Sequence, residues 1–139
     1  MKLLASLLLP FAVLYDAITS IRNRLYDSGT RPSAKFEIPV VGVGNLAVGG
    51  TGKTPMVEYL IRLFAAERKI ATLSRGYGRR TKGIRIAGLS DTPATVGDEP
   101  YQMYRKFGEQ AVIAVGEERA LAIPYVLAEY PETSLIILD

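Results

Sequence analysis

The sequence predicts an α/β fold in which a parallel sheet carries helices on both faces. Two observations lead there. Short apolar runs alternate with longer segments of helical spacing, in the β-α-β-α-β order that right-handed crossovers join. One of those runs passes through a glycine-rich turn straight into a helix, the layout of a phosphate-binding loop.

At the N-terminus, Leu3 to Tyr15 carries no charge and is interrupted only by Pro10. So short a run cannot cross a bilayer, which takes about 20 residues. Leu14, Ile18, Ile21 and Leu25 then recur on one helix face, polar residues fill much of the rest, and Asp27-Ser28-Gly29 supplies a stop. Three readings compete. A signal peptide would need a small-residue cleavage site, and none follows cleanly. The others are a plain core helix and an interfacial helix, its apolar residues at the acyl boundary and Arg22 and Arg24 near anionic headgroups. These two are compatible. The expected division is residues 1–30 as a membrane-associated helix and 31–139 as the nucleotide-binding domain.

Arg31 to Lys35 is a polar connection into the first expected strand, Ile38 to Val43. Gly44 to Pro55 follows as Gly-Asn-Leu-Ala-Val-Gly-Gly-Thr-Gly-Lys-Thr-Pro. Compared with the strict G-x-x-x-x-G-K-[ST] pattern, Ala47 replaces the first glycine, the mildest exchange available, and Gly49, Gly50 and Gly52 keep the turn permissive. The backbone of Ala47, Val48, Gly49, Gly50, Thr51 and Gly52 is expected to cradle phosphate with Lys53 and Thr54. Lys53 would reach the β- and γ-phosphates of the nucleotide and the Thr54 hydroxyl would hold Mg²⁺. This is the P-loop NTPase type of sheet.

Met56, Leu60, Leu63 and Phe64 place a helix to about Arg68, and Ile70 to Leu73 is the second strand. The basic loop from Ser74 to Arg80 is either a solvated turn or a clamp in which Arg75 or Arg79 meets a phosphate. Loops at strand ends are where such sheets place ligands. Ile84 to Ile86 reads as a small edge strand and Gly88 to Thr95 as an irregular loop. In Val96-Gly97-Asp98-Glu99-Pro100 the acids ahead of a proline have the form of ordinary helix N-terminal signals, for a helix from about Pro100 to Phe107. Ala111 to Val115, Glu117 to Tyr130 and Ser134 to Leu138 complete the series as strand, helix and strand. Asp139 closes the last strand, where a Walker B aspartate holds Mg²⁺; a surface aspartate is the plain alternative. A sheet that stops at this strand is unfinished, so the expected protein continues beyond it.

Composition bounds the chemistry. The 139 residues amount to about one domain, and 48% hydrophobic content can build a core. There is no cysteine and no histidine, which excludes disulfides, thiolate sites and imidazole catalysis within this chain. A net charge of +3 suits anionic lipid or phosphate but is too small to argue for nucleic acid, and no aromatic-basic motif supports that partner.

Taken together, Asn23 to Gly29, Val43 to Pro55, Ser74 to Arg79 and Val96 to Pro100 resemble the tetraacyldisaccharide 4′-kinase family of lipid A biosynthesis. The resemblance covers nearly the whole chain, and family members are considerably longer. It implies a membrane-associated, ATP- and Mg²⁺-dependent transferase of lipopolysaccharide synthesis, peripheral on the cytoplasmic face of the bacterial inner membrane. The acceptor would be the 4′-hydroxyl of a tetraacylated glucosamine disaccharide 1-phosphate, met in part by Arg75, Tyr77 and Arg79. It also implies that Asp98 is the catalytic base, assisted near the metal by Glu99, and that a histidine working with Asp98 lies after Asp139. A monomer is expected. Two rivals remain. A membrane-bound nucleotide switch would carry a lysine where Val48 stands, or a base-reading Asn/Thr-Lys-x-Asp motif, which does not occur up to Asp139. A degenerate fragment that only binds membrane or partner is opposed by the intact Lys53, Thr54, Asp98 and Asp139.

Overall fold

A computed structural model describes residues 2–31, 33–45 and 52–139 of the chain. The chain falls into two compact units, Met1–Lys35 and Phe36–Asp139.

The first unit is the helix α1, Lys2–Asp27, which runs through Pro10. A proline inside a helix removes one backbone hydrogen bond, and the regular turns on both sides absorb that loss. The helix ends where the stop signal stands, with Ser28 N–H donating to Arg24 O at 2.9 Å and Arg31 N–H to Leu25 O at 2.9 Å. Arg22 and Arg31 lie over the Tyr26 ring at 5.8 and 5.7 Å. Leu8, Leu9, Phe11, Val13, Leu14, Tyr15, Ile18 and Ile21 are all exposed. Among the described residues, no helix is long and apolar enough to cross a membrane.

The second unit is a five-stranded sheet. Its strands are β1 (Val40–Gly42), β2 (Ile70–Ser74), β3 (Arg85–Ile86), β4 (Ala111–Val115) and β5 (Leu135–Leu138), in the spatial order β1-β5-β2-β4-β3. Four strands are parallel, with Ile70 opposite both Ala111 and Leu135, and Val40 opposite Ile136. The edge strand β3 departs from the expected all-parallel sheet. It pairs antiparallel to β4, Arg85 opposite Val115, because no helix intervenes between β2 and β3 to carry the chain back across the sheet before β3 begins.

Period-2 alternation sends strand side chains to opposite faces, and each face is covered. Ile70, Ile113, Val115, Leu135 and Ile137 meet Val57 and Ile61 of α2 (Lys53–Phe64), Val96 of α3 (Pro93–Val96), and Met103 and Phe107 of α4 (Asp98–Phe107). Ala71, Leu73, Ala114 and Ile136 meet Ala122, Ile123 and Val126 of α5 (Arg119–Glu129) on the other face. Helices α2 and α4 are also tied at their surface. Glu58 accepts from Lys106 Nζ at 2.6 Å and Arg62 Nη2 at 3.2 Å, and Arg62 lies 5.1 Å from the Phe107 ring centroid.

The segment expected as a loop from Gly88 to Thr95 contains the short helix α3. Pro93 stands at its first position, and the Thr92 N–H donates to Thr95 Oγ1 at 2.9 Å. Asp91 anchors the segment, accepting from Arg85 Nε (2.6 Å), Gly88 N–H (2.9 Å) and Thr95 Oγ1 (2.7 Å).

Candidate active site

The carboxyl ends of the parallel strands converge on one cleft. Ser74 ends β2, Asp139 follows β5, and Lys53 and Thr54 open α2 just after Gly52. The expected cradle residues Ala47, Val48, Gly49, Gly50 and Thr51 lie outside the described residues. Lys53, Ser74, Arg75, Gly76, Tyr77, Asp98, Glu99, Pro100, Arg119 and Asp139 line a cavity of about 570 Å³. A second groove of about 350 Å³, lined by Lys69, Ile70 and Ala111 among others, holds none of the site residues expected from sequence.

Asp98 and Glu99 occupy the first turn of α4, where the helix dipole favours negative charge. The helix begins two residues before Pro100, with Gly97 at the N-cap and no side-chain capping bond. Asp98 is thus the first residue of the helix and not its N-cap, and its carboxylate is exposed.

Glu99 reaches the P-loop helix: Thr54 Oγ1 donates to Glu99 Oε1 at 3.1 Å. Asp139 is half-buried nearby, with its N–H bonded to Leu73 O at 3.1 Å. Its Oδ1 is buried and has no hydrogen-bond partner among the described residues. Burial pushes the Asp139 carboxyl above its ordinary range, and the Glu99 charge adds to this, while Lys53 and Arg119 pull the other way.

A buried, orphaned carboxylate oxygen beside a second carboxylate and a hydroxyl is a set of hard oxygen donors that fits Mg²⁺. Among the described residues there is no cluster of three or more acidic, histidine or cysteine side chains that could hold a metal unaided. Mg²⁺ is commonly held by one or two carboxylates together with substrate phosphates, so the donor set is of the right kind.

The basic loop divides. Arg75 and Tyr77 line the cleft, Tyr77 with 96% of its surface exposed. Arg79 does not line it. Its side chain is only 3% exposed and pairs with Glu117 at 2.6 Å. Arg119 was missed by sequence reasoning; its Nη2 donates to Asp139 O at 2.6 Å. A signal existed, because a cation in the first turn of a helix opposes the dipole and calls for an anion nearby.

The family model described as "Tetraacyldisaccharide-1-P 4'-kinase" matches residues 4–139. The chain belongs to the tetraacyldisaccharide 4′-kinase family. It is 48% identical over 139 residues to a tetraacyldisaccharide 4′-kinase of Flavobacterium johnsoniae, covering 100% of this chain and 41% of that protein. One from Porphyromonas gingivalis is 47% identical over 132 residues, covering 94% of this chain and 37% of the relative. Among solved structures, the "apo" form of LpxK from Aquifex aeolicus in complex with ATP matches with a TM-score of 0.79 at 38% identity. That match covers 96% of this chain and 43% of the solved one. The chain thus spans about two fifths of the length of the relatives it matches.

Proposed function

We propose that the protein transfers the γ-phosphoryl group of ATP to the 4′-hydroxyl of a tetraacylated glucosamine disaccharide 1-phosphate. The observation that carries this reading is the convergence of Lys53, Asp98, Glu99 and Asp139 on one cleft. Phosphoryl transfer needs phosphate positioning, neutralised charge and an oriented nucleophile, and this set offers a candidate for each task.

In this reading Lys53 neutralises charge on the transferring group, where a fixed cation is worth more in the transition state than in the ground state. Asp98 accepts the proton of the 4′-hydroxyl as its oxygen bonds to the γ-phosphorus and the bond to the β-phosphate oxygen breaks, releasing ADP. Thr54, Glu99 and Asp139 would hold Mg²⁺, which supplies Lewis-acid neutralisation of phosphate oxygens when bound. Arg75, Tyr77 and Arg119 flank the reacting groups on the cleft wall.

A lipid acceptor also gives the exposed apolar residues of α1 a purpose. The helix lies in the interface of an anionic inner membrane on its cytoplasmic face, where ATP is available, with Arg22 and Arg24 toward headgroups. The enzyme works there as a monomer.

The test is to supply the intact protein with ATP, Mg²⁺ and micellar tetraacyldisaccharide 1-phosphate and to map the product by mass spectrometry. The expected result is one added phosphate at the 4′ position. Phosphate elsewhere, or ATP hydrolysis unaffected by the acceptor, would contradict the reading.

A further inference from the structure

We propose that Arg79 is a positioning residue that acts through Glu117, bracing the turn that carries Arg75 and Tyr77, and is not itself a phosphate ligand. The inference rests on the kinase reading only for the activity arm of its test.

Both terminal nitrogens of the Arg79 guanidinium are committed within the chain, while its buried Nε has no partner among the described residues. Nη2 donates to Glu117 Oε1 and to Gly83 O, both at 2.6 Å, and Nη1 to Thr81 Oγ1 at 3.5 Å. The second Glu117 oxygen accepts from Gly83 N–H at 3.1 Å. One carboxylate therefore joins both ends of the 79–83 segment to the loop after β4. The Glu117 carboxyl is held below its usual range, first by its own backbone N–H and next by Arg79.

The brace reaches the cleft through Gly76. The Arg79 N–H donates to Gly76 O at 3.2 Å, and a Cβ on Gly76 would lie 2.6 Å from Arg79 Cδ. The arginine stem thus packs against the residue between Arg75 and Tyr77, both of which line the cleft. Because Glu117 is half-exposed, its Coulomb attraction to Arg79 is screened; the contribution lies in geometry, two fixed ends on one planar fork.

The two roles predict opposite behaviour for Glu117. If Arg79 touches phosphate directly, removing Glu117 leaves it free to do so and costs little. If it braces the turn, Arg79 and Glu117 behave as one unit. The experiment measures acceptor kinetics of the intact protein and hydrogen exchange across residues 74–83 for Arg79→Ala, Glu117→Ala and the double variant. Arg79→Lys and Glu117→Gln serve as conservative controls. Each alanine variant is expected to raise KM for the acceptor about tenfold, with kcat at saturation within about twofold, and the double variant to be no worse than the worse single. Backbone protection in 74–83 should fall equally in both singles and recover partly in Arg79→Lys and Glu117→Gln. A mere loss of folded enzyme would lower kcat and leave KM unchanged. Wild-type KM and protection in Glu117→Ala, alongside a loss in Arg79→Ala, would overturn the proposal, as would additive losses. If the wild-type protein fails to phosphorylate the acceptor, the kinase reading fails, while the exchange measurement still decides the brace.

Discussion

Gly76 and Gly97 meet backbone to backbone, with no room for a side chain on either. A Cβ on Gly97 would lie 2.9 Å from Tyr77 O and 3.2 Å from Gly76 Cα; one on Gly76 would lie 2.7 Å from Val96 O. Both have positive φ, +68° and +96°. This contact sets the turn bearing Arg75 and Tyr77 directly against the first turn of α4, which bears Asp98 and Glu99. Gly97→Ala would add both a strained backbone and a steric clash, for a loss of about 1–3 kcal/mol. Chemical denaturation should show that loss, and kcat/KM should fall as the two turns separate. An unchanged denaturation midpoint would show that the contact yields easily.

Much of this site was legible in the sequence, and the reasons are physical. Lys53 and Thr54 open a helix, and that start was legible because a glycine-rich run ending in Gly-Lys-Thr is a local pattern of fixed spacing. The place of Asp139 at the cleft was legible because it follows an apolar strand, whose carboxyl end opens there. Arg79 and Arg75 could not be told apart, since they share one loop and one charge and differ only in a partner 38 residues away, Glu117. Nor could the Gly76–Gly97 contact be foreseen, because composition does not reveal which turns abut. The antiparallel β3 is short, and two residues carry too little pattern to give direction.

Asp91 is an acid outside the cleft, tied into the fold by its own bonds. Its burial disfavours ionisation, but bonds from Thr95, Gly88 and Arg85 prevail and hold its carboxyl below the ordinary range. A depressed folded pKa contributes stability above the ordinary aspartate range, and that contribution is lost as pH falls through the lowered value. Asp91→Ala should cost about 2–3 kcal/mol at neutral pH, from the Gly88 N–H left without this acceptor and from the lost Thr95 and Arg85 bonds. The gap to wild type should close on acidification. A gap independent of pH would contradict the role given to its charge.

Asp139 behaves in the opposite sense. Its pKa is raised by burial and then by Glu99, so its stabilising contribution is full below the ordinary aspartate range and is lost as pH rises through the raised value. Asp139→Asn should therefore raise Tm at neutral pH in the presence of a chelator, with the difference vanishing in acid. The same variant should lose the stabilisation that Mg²⁺ and ATP give wild type. A destabilised Asp139→Asn at neutral pH would argue that the carboxylate serves the fold and not a cation.

The membrane reading of α1 is checked by flotation with anionic liposomes, comparing the intact protein with a form lacking residues 1–28. Flotation should depend on those residues, weaken with salt through the Arg22 and Arg24 contribution, and be reversed by carbonate. Equal flotation of both forms would count against it.

The most direct measurement is the turnover of Asp98→Asn in the intact protein at saturating ATP, Mg²⁺ and acceptor. Asparagine fits the first turn of α4 without disturbing the cap, since the N-cap residue is Gly97. It cannot accept the sugar hydroxyl's proton. The account predicts a fall in kcat of roughly 10²–10⁴-fold, with KM for ATP nearly unchanged and no rescue by raising the pH. A variant that keeps more than about a third of wild-type kcat would show a loss smaller than general-base catalysis allows, and Asp98 would not be the base.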